Sequence, residues 1–239
     1  MDALKKAAAL AAVDHAQTNT IVGLGSGSTM AFVIQELGER IRQGQLQIVG
    51  VPTSYDTRIL AKECGIPLCD TMDVDRIDLT IDGADEVDPA GNLIKGGGGA
   101  HVMEKLVAAL GHRFIVIVDE SKLVQTLGHG KYPVPVEVIA PALPFVMRCI
   151  QELGGKPTVR NGSGKLGPVI SDLGHPIINV DFGPITNAPQ LSQQLDCIPG
   201  VVGHGLFIGM ADQVIVARSP VEKPTVEVLH FTRTARFCK

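Results

Sequence analysis

Residues 20–29 read TIVGLGSGST, and this stretch decides the fold. Its first five residues are apolar or small and predict a buried strand, while the glycines and serines after them predict a tight turn. Residues 29–42 then have helical spacing. The predicted apolar stripe of that helix consists of Phe32, Ile34, Leu37 and Ile41. A strand that leads through such a turn into a helix is the first half of a βαβ unit.

The same alternation continues along the chain. The pattern predicts strands over 46–51, 77–81 and 113–118 and helices over 55–64 and 100–110. It therefore predicts an α/β fold with a Rossmann-like, largely parallel sheet and helices on both faces. Ligands of such sheets bind beyond the carboxyl ends of the strands, so each loop that follows a strand is a candidate site.

The pattern changes near residue 128, where residues 128–133 are typical of a linker. Strands and helices then follow in β-α-β-β-α-β order, which predicts a small ferredoxin-like α+β domain. The predicted elements are strands over 134–139, 157–160, 166–171, 176–181 and 200–207 and helices over 143–153 and 187–196. A strand over 213–217 is expected to return to the first sheet. We therefore predict a large domain of residues 1–128 plus about 207–239 and a small domain of residues 129–206.

Composition excludes several classes of protein. Of the 239 residues, 45% are hydrophobic but only 4% are aromatic, and the formal net charge is −4. A general nucleic-acid binder presents a positive field and aromatic stacking platforms, so no nucleic-acid partner is expected. No apolar run approaches the roughly 18 residues that a transmembrane helix needs, so no membrane partner is expected.

The cysteines indicate the compartment. Cys64, Cys69, Cys149, Cys197 and Cys238 are odd in number and irregular in spacing, and no C-x-x-C pair occurs. This pattern supports neither a zinc site nor a thioredoxin-type motif. It predicts free thiols in a reducing cytoplasm.

The loop Gly23–Thr29 is a candidate phosphate site. Small residues let the backbone approach a ligand, and the N-terminus of the following helix presents N–H groups and partial positive charge. The dinucleotide fingerprint needs a glycine where Ser28 stands, and no Walker A loop occurs. The loop therefore favours a phosphate monoester. The alternative is a plain strand–helix turn with a Ser or Thr N-cap.

A second candidate segment, Asp82–Glu86, follows the strand over 77–81. It places three carboxylates within five residues. Their mutual repulsion is offset if a cation or a polyol ligand lies among them. The alternative is a solvated acidic turn, because Asp-Gly is common in turns.

A third segment is Lys95 followed by the four glycines 96–99, with Glu104 in the helix after them. Consecutive glycines are costly to order, which makes sense if their backbone lies against a ligand. The Lys95 ammonium would stabilise a developing oxyanion, and Glu104 would act as a general base if its surroundings raise its pKa. Alternatively, Glu104 complements the helix dipole. Lys122, after the strand over 113–118, would reach the same rim.

Metal chemistry has little support in the sequence. Only His101 and Glu104, three residues apart, share a helix face as candidate ligands. Two ligands do not make a metal site, so no metal is expected. The chain also lacks the G-x-S-x-G elbow of a serine hydrolase.

Together these segments resemble one family, ribose-5-phosphate isomerase of type A, over nearly the whole chain to about residue 217. The matching stretches are Leu4–Lys6, Thr20–Thr29, Asp82–Glu86, Ile94–Gly98, Glu104–Lys105, Ser121–Lys122, Pro133–Val138 and Ile198–Val202. The resemblance implies a cofactor-free aldose–ketose isomerase that interconverts ribose 5-phosphate and ribulose 5-phosphate in the non-oxidative pentose phosphate pathway. It also implies a homo-oligomer, most often a homodimer and otherwise a tetramer.

The resemblance also implies roles for individual residues. The loop of Ser26, Gly27, Ser28 and Thr29 would hold the substrate phosphate, helped by Lys5. Glu104 would accept the proton. The residues that would bind the sugar, assist ring opening or line the site are Asp82, Gly83, Ala84, Asp85, Lys95, Gly96, Gly97, Gly98 and Lys122. The chain departs from the family pattern at three places. Its linker is about two residues longer, and Ser26 stands where Thr is frequent. The tail 219–239 is longer and less typical than usual.

Two kinds of alternative remain. One is another sugar-phosphate enzyme or a CoA transferase with a glutamate nucleophile, but neither is expected to combine the Lys95–Gly98 block with Glu104. The other is a non-catalytic sugar-phosphate sensor. Such a sensor needs a DNA-binding module, and the strand–helix pattern begins within the first twenty residues.

Overall fold

The computed structural model describes residues 2–129, 132–164 and 166–235. Cys238 and residues 130 and 131 of the predicted linker therefore lie outside the described residues. The four other cysteines are free thiols. The chain divides into two compact units. The first unit comprises Met1–Ala84, Met103–Leu123 and Gly209–Lys239, and the second comprises Asp85–Val102 and Val124–Ile208.

Helices and strands alternate through the described residues. The helices are α1 (Asp2–Val13), α2 (Ser28–Arg42), α3 (Tyr55–Glu63), α4 (His101–Leu110), α5 (Leu143–Glu152) and α6 (Ala188–Asp196). The strands are β1 (Thr20–Leu24), β2 (Ile48–Pro52), β3 (Ile77–Gly83), β4 (Glu86–Val87), β5 (Leu93–Ile94), β6 (Gly111–Asp119), β7 (Val134–Val138), β8 (Lys156–Val159), β9 (Ile177–Asp181), β10 (Val201–His204), β11 (Leu206–Phe207), β12 (Gln213–Arg218) and β13 (Thr225–His230). Across this part of the chain, no helix combines the length and apolarity that crossing a membrane would need.

A six-stranded sheet with the order β13-β12-β6-β3-β1-β2 organises the first unit. Neighbouring strands from β2 to β12 run parallel, and only β13 is antiparallel to its neighbour. The chain passes from β1 outward to β2 and then returns to β3 on the other side of β1, so the strand order reverses at β1. Such a switch point opens a crevice at the carboxyl ends of the strands, where ligands of this fold class bind.

Helices cover both faces of this sheet, which confirms the predicted fold class. On one face, Val22 and Leu24 of β1 belong to a buried aliphatic cluster with residues of α1 and α2. On the other face, Gly23 lies so close to α4 that a Cβ on it would be 2.6 Å from a methyl group of Val107. Side chains alternate between the faces of a strand, so one short segment packs against helices on both sides.

The second unit contains a four-stranded antiparallel sheet with the order β10-β7-β9-β8. Counted within the unit's β-α-β-β-α-β series, this order is 4-1-3-2, the ferredoxin-like arrangement that the sequence predicts. Aliphatic side chains of its strands pack against α5 and α6. A separate three-stranded sheet, β11-β5-β4, also belongs to this unit.

Three details differ from the sequence predictions. Instead of the strand predicted over 166–171, the described residues there form only isolated bridges at Pro168 and Ile170. The strand predicted over 200–207 is broken at Gly205, whose N–H donates to Pro135 O and whose carbonyl accepts from Lys95 N, so β10 and β11 join different sheets. Residues 85–102 and 124–128 pack within the second unit, although the predicted large domain includes them, because β4 and β5 pair with β11.

The C-terminal tail, which the sequence leaves without a role, closes one edge of the large sheet. Strand β13 pairs with β12 along its whole length, and Phe231 N donates to Asp212 O at 2.9 Å. Beyond the strand, Arg233 donates to three backbone carbonyls, Gly111 O at 2.6 Å, Ala108 O at 3.0 Å and Ala109 O at 3.4 Å. The tail is thereby fastened to the connection between α4 and β6.

We expect Arg233→Ala to lower the free energy of unfolding by about 1.5–3 kcal/mol, because carbonyl groups that accept from a guanidinium lose a charged partner. Urea unfolding measures the effect. Arg42→Ala is the matched control: Arg42 is exposed and pairs with Glu39 on its own helix, so its loss should cost at most about 0.5 kcal/mol. Equal effects from the two variants would contradict the proposed fastening.

Candidate active site

The loop after β1 lies against the end of β3. Gly25 N donates to Ile81 O at 2.9 Å, and Ser26 N donates to the Asp82 carboxylate at 3.2 Å. A Cβ on Gly25 would be 2.1 Å from the carboxyl carbon of Asp82, far inside any real contact. Position 25 therefore requires glycine for close approach, as the sequence suggests for a loop that receives a ligand.

The loop leads into α2 without a side-chain cap. Gly27 is the N-cap residue, has φ of 106°, and makes no capping side-chain bond. The Ser or Thr N-cap of the alternative interpretation is thus absent at this described helix start. The first N–H groups of α2 consequently keep their capacity to bind an anion. Lys5 Nζ donates to Ser28 Oγ at 2.9 Å, which brings a cation to the same place.

A cluster of hydroxyl groups supports the loop from behind. Ser26 Oγ lies within hydrogen-bond distance of Thr53 Oγ1 at 2.8 Å, Ser54 Oγ at 2.7 Å and Thr57 Oγ1 at 3.1 Å. Thr57 Oγ1 also donates to Gly25 O at 2.9 Å. The sequence analysis missed this cluster, although Thr53 and Ser54 directly follow β2 and the position after a strand was the available signal.

Two buried carboxylates of the first unit lie on the face that α4 covers. Thr80 Oγ1 donates to Val107 O at 3.0 Å, which fixes α4 over β3. Asp82 lies two residues beyond Thr80 on the same strand face, and Glu104 lies one turn before Val107 on the same helix face. Because α4 leads straight into β6, which is parallel to β3, its N-terminus points toward the carboxyl ends of the strands. Asp82 and Glu104 are only 1% and 4% exposed.

The carboxylates of the acidic segment Asp82–Glu86 have different hydrogen-bond partners. Asp82 accepts from the N–H groups of Ser26 and Gly83, at 3.2 and 2.7 Å. Glu86, in the second unit, is buried and accepts from Gly128 N at 2.7 Å. Burial raises the pKa of the Glu86 carboxyl, and backbone N–H groups of Gly128 and Tyr132 partly oppose that shift. A solvated acidic turn, the alternative interpretation, is therefore wrong.

The second unit holds Lys95 and the glycine loop. Lys95 is 3% exposed, and its ammonium lies 5.4 Å from the centre of the Phe207 ring, within cation–π range. Gly97 N donates to the Asp85 carboxylate at 2.8 Å. Arg160, which no sequence signal indicated, donates to the carbonyls of Gly96 and Gly97.

The predicted site residues thus divide between the units. Lys5, the loop Ser26–Thr29, Asp82–Ala84, Glu104 and Lys122 belong to the first unit, while Asp85, Lys95 and Gly96–Gly98 belong to the second. Lys122 is half-buried in the turn after β6. Within the described ranges, no three His, Cys, Asp or Glu side chains are grouped as a metal site would need. The groups present suit anion binding and proton transfer.

Comparisons with known proteins agree with this chemistry. The family model described as ribose 5-phosphate isomerase A (phosphoriboisomerase A) matches residues 49–220. Ribose-5-phosphate isomerase A of Thermosynechococcus vestitus is 50% identical over 229 residues, covering 95% of this chain and 97% of the relative. The corresponding protein of Haloarcula marismortui is 49% identical over 215 residues, covering 90% of this chain and 92% of the relative.

Solved structures give the same result. Ribose 5-phosphate isomerase A of Methanocaldococcus jannaschii has a TM-score of 0.89 and 43% identity, covering 96% of this chain and 99% of the other. A D-ribose-5-phosphate isomerase in complex with phospho-erythronic acid has a TM-score of 0.92 and 43% identity, with the same coverage.

We expect Gly25→Ala to lower the free energy of unfolding by about 1–3 kcal/mol, because the added methyl group displaces the Asp82 carboxylate. Chemical denaturation of the purified variant measures the loss. The control is Gly98→Ala, whose Cβ would meet no atom within 4 Å and which should change stability by less than about 1 kcal/mol. If Gly25→Ala were as stable as the wild type, the close packing of the loop on Asp82 would be refuted.

Proposed function

The chain belongs to the ribose-5-phosphate isomerase A family, and we propose that it interconverts D-ribose 5-phosphate and D-ribulose 5-phosphate. One observation carries the proposal beyond family membership: the buried carboxylate of Glu104 lies on the sheet face and at the strand ends where the loop after β1 offers an anion site. A base at that position and a phosphate-binding loop are the two things that an aldose–ketose isomerase of sugar phosphates needs.

The substrate phosphate binds to the loop of Ser26, Gly27, Ser28 and Thr29. The N–H groups at the start of α2 and the Ser28 hydroxyl donate to its oxygens, and the macrodipole of α2 favours its charge. Lys5, which already donates to Ser28, adds a positive charge beside the loop. Lys122 contacts the substrate from the turn after β6.

Glu104 transfers the proton. Its carboxylate removes the hydrogen on C2 of the open-chain aldose as a proton. The electron pair left behind forms the C1=C2 bond of an enediolate as the π pair of C1=O moves onto O1. The proton then returns to C1, while the hydroxyl proton of O2 moves to O1. C1 is reduced, C2 is oxidised, and the electrons stay within the substrate. The reaction therefore needs no external oxidant or reductant, and with the Lys95 ammonium to stabilise the developing oxyanion it is proposed to proceed without a metal.

Lys95, Asp82 and Asp85 serve the sugar oxygens. The Lys95 ammonium stabilises the negative charge that develops on oxygen in the enediolate, a type of interaction worth about 10²–10³-fold in rate. Asp82 and Asp85 accept hydrogen bonds from sugar hydroxyls and assist ring opening. The backbones of Gly83–Ala84 and Gly96–Gly98 line the site. Their small size lets the sugar approach closely.

The cellular setting of the proposal follows from its family. The reaction belongs to the non-oxidative branch of the pentose phosphate pathway and takes place in the cytoplasm. The protein works as a homo-oligomer, either a homodimer or a tetramer. Sedimentation of the purified protein distinguishes these states from a monomer.

Glu104→Gln should lower kcat by about 10²–10⁴-fold, because the amide cannot accept the proton from C2. KM should change little, since the amide occupies the same volume. Formation of ribulose 5-phosphate from ribose 5-phosphate, followed directly by absorbance, measures both constants. Glu63→Gln, on the exposed surface of α3, is the matched control and should retain wild-type activity. Activity near that of the wild type in Glu104→Gln would show that another group is the base.

Ser28→Ala should raise KM by about 2- to 12-fold, the equivalent of one lost hydrogen bond, with little change in kcat. The inhibition constant of inorganic phosphate should rise by a similar factor. Steady-state kinetics with and without phosphate separate these effects, and Ser163→Ala, on an exposed turn, serves as control. An effect on kcat alone would argue against a phosphate-binding role for the loop.

A further inference from the structure

The backbone of Arg160, in the second unit, is fixed by hydrogen bonds on both sides. Arg160 directly follows β8, its N–H donates to Ile177 O at 2.9 Å, and its carbonyl accepts from Val169 N at 2.7 Å. Its side chain runs along the sheet, where Nε donates to Asn179 Oδ1 on β9 at 2.8 Å. The backbone bonds and the bond to Asn179 therefore fix the position of the guanidinium.

The Nη1 atom of Arg160 donates hydrogen bonds to the glycine loop Gly96–Gly99. Nη1 donates to Gly96 O at 3.1 Å and to Gly97 O at 3.2 Å. On the other side, Gly97 N donates to the Asp85 carboxylate at 2.8 Å. Gly96 O and Gly97 N belong to the same peptide unit. Arg160 therefore donates to the carbonyl of this peptide, and Asp85 accepts from its N–H.

The glycine loop needs these outside hydrogen bonds because all four of its residues are glycine. Gly96 and Gly99 have φ of 97° and 84°, and no residue from 96 to 99 carries a side chain that would restrict the backbone. A four-glycine segment has more conformational freedom to lose on ordering than any other segment of equal length. Its own Gly99 N–H···Gly96 O bond, at 3.0 Å, closes one turn but leaves the direction of the peptides to outside partners.

Arg160 also decides which way the loop's donors point. In a trans peptide the N–H and C=O groups point in opposite directions. With the Gly97 carbonyl turned toward Arg160, the N–H of Gly98 is turned away from it. Gly97 and Gly98 are exposed, so a ligand can reach this backbone. A planar guanidinium carries its donors on separate nitrogens, so Nη1 holds two adjacent carbonyls while Nε holds Asn179, whereas a lysine ammonium carries all its donors on one nitrogen.

We propose that Arg160, held in turn by Asn179, is a positioning residue that sets the backbone of Gly96–Gly98 for contact with the sugar. This inference rests on the proposed function for the identity of the ligand. It assigns Arg160 no contact with the substrate and no part in the proton transfer. Burial lowers the pKa of the Arg160 guanidinium and the Asp85 carboxylate raises it, so the cation faces a carboxylate across the loop.

The test compares Arg160→Ala, Arg160→Lys and Asn179→Ala with Arg148→Ala, whose exposed side chain on α5 is the matched control. Titration calorimetry measures binding of two probes, phospho-erythronic acid and inorganic phosphate, and kinetics give kcat and KM for ribose 5-phosphate. The first probe has a sugar-acid chain that reaches beyond its phosphate, whereas the second occupies only the phosphate loop.

Arg160→Ala should weaken binding of phospho-erythronic acid and lower kcat/KM, each by about 10- to 100-fold, because small misplacements of positioning groups have effects of that size. Binding of inorganic phosphate should change less than about twofold, within the reach of the measurement. Arg160→Lys and Asn179→Ala should fall between Arg160→Ala and the wild type. Millimolar guanidinium should restore part of the activity of Arg160→Ala and none of any loss in Arg148→Ala.

Two results would overturn the inference. One is unchanged binding of phospho-erythronic acid in Arg160→Ala. The other is an equal loss for both probes together with a lowered Tm, which would indicate a purely structural role. A wild-type protein that binds phospho-erythronic acid but does not turn over ribose 5-phosphate would refute the proposed function. In that event the binding comparison would still decide the role of Arg160.

Discussion

The close approach of Gly25 to the Asp82 carboxylate governs the geometry of the first unit. A Cβ at position 25 would overlap that carboxyl group, so the loop after β1 can lie against β3 only with glycine there. The approach allows Ser26 N to bond Asp82, and Thr57 fastens the Gly25 carbonyl from the opposite side. The start of α2, and with it the proposed phosphate-binding loop, is placed by these contacts.

Burial of charge distinguishes this edge of the sheet from an ordinary core. Asp82 and Glu104 are almost fully buried there, where the loss of hydration of a charged group is costly. In the second unit, Lys95 is buried to the same degree. The pair of Arg42 with Glu39, by contrast, lies on the surface and costs little. Groups that are expensive to bury are expected where chemistry needs them, and Asp82, Glu104 and Lys95 are the residues to which we assign the proposed reaction.

The parts of the molecule that depend on local pattern could be predicted from the sequence. The strand–helix alternation predicted β1, α2, β3 and α4 nearly to the residue, and the position of Asp82 at the carboxyl end of β3 followed from strand topology. The parts that depend on partners distant in sequence could not. Arg160 acts on glycines more than sixty residues earlier in the chain, and no periodicity records such a contact.

The same reason explains the other differences. Strand pairing, not composition, breaks the segment 200–207 at Gly205 and draws residues 85–102 into the second unit. The short strands β4 and β5 have two residues each, too few for an alternating pattern to be recognised. Thr53 and Ser54 could have been predicted as site residues because they directly follow β2. They lack neighbouring glycines, however, and the glycines around Ser26 were the stronger signal.

In the proposed reaction, a buried carboxylate moves a proton between C2 and C1 of the sugar phosphate through an enediolate. The most direct test is to let EDTA-treated protein equilibrate ribose 5-phosphate in D₂O and to locate deuterium by NMR. If Glu104 holds the proton and exchanges it with solvent, deuterium should appear at C1 of ribulose 5-phosphate and at C2 of recovered ribose 5-phosphate. Interconversion without deuterium at either carbon, as in direct hydride transfer, would contradict it.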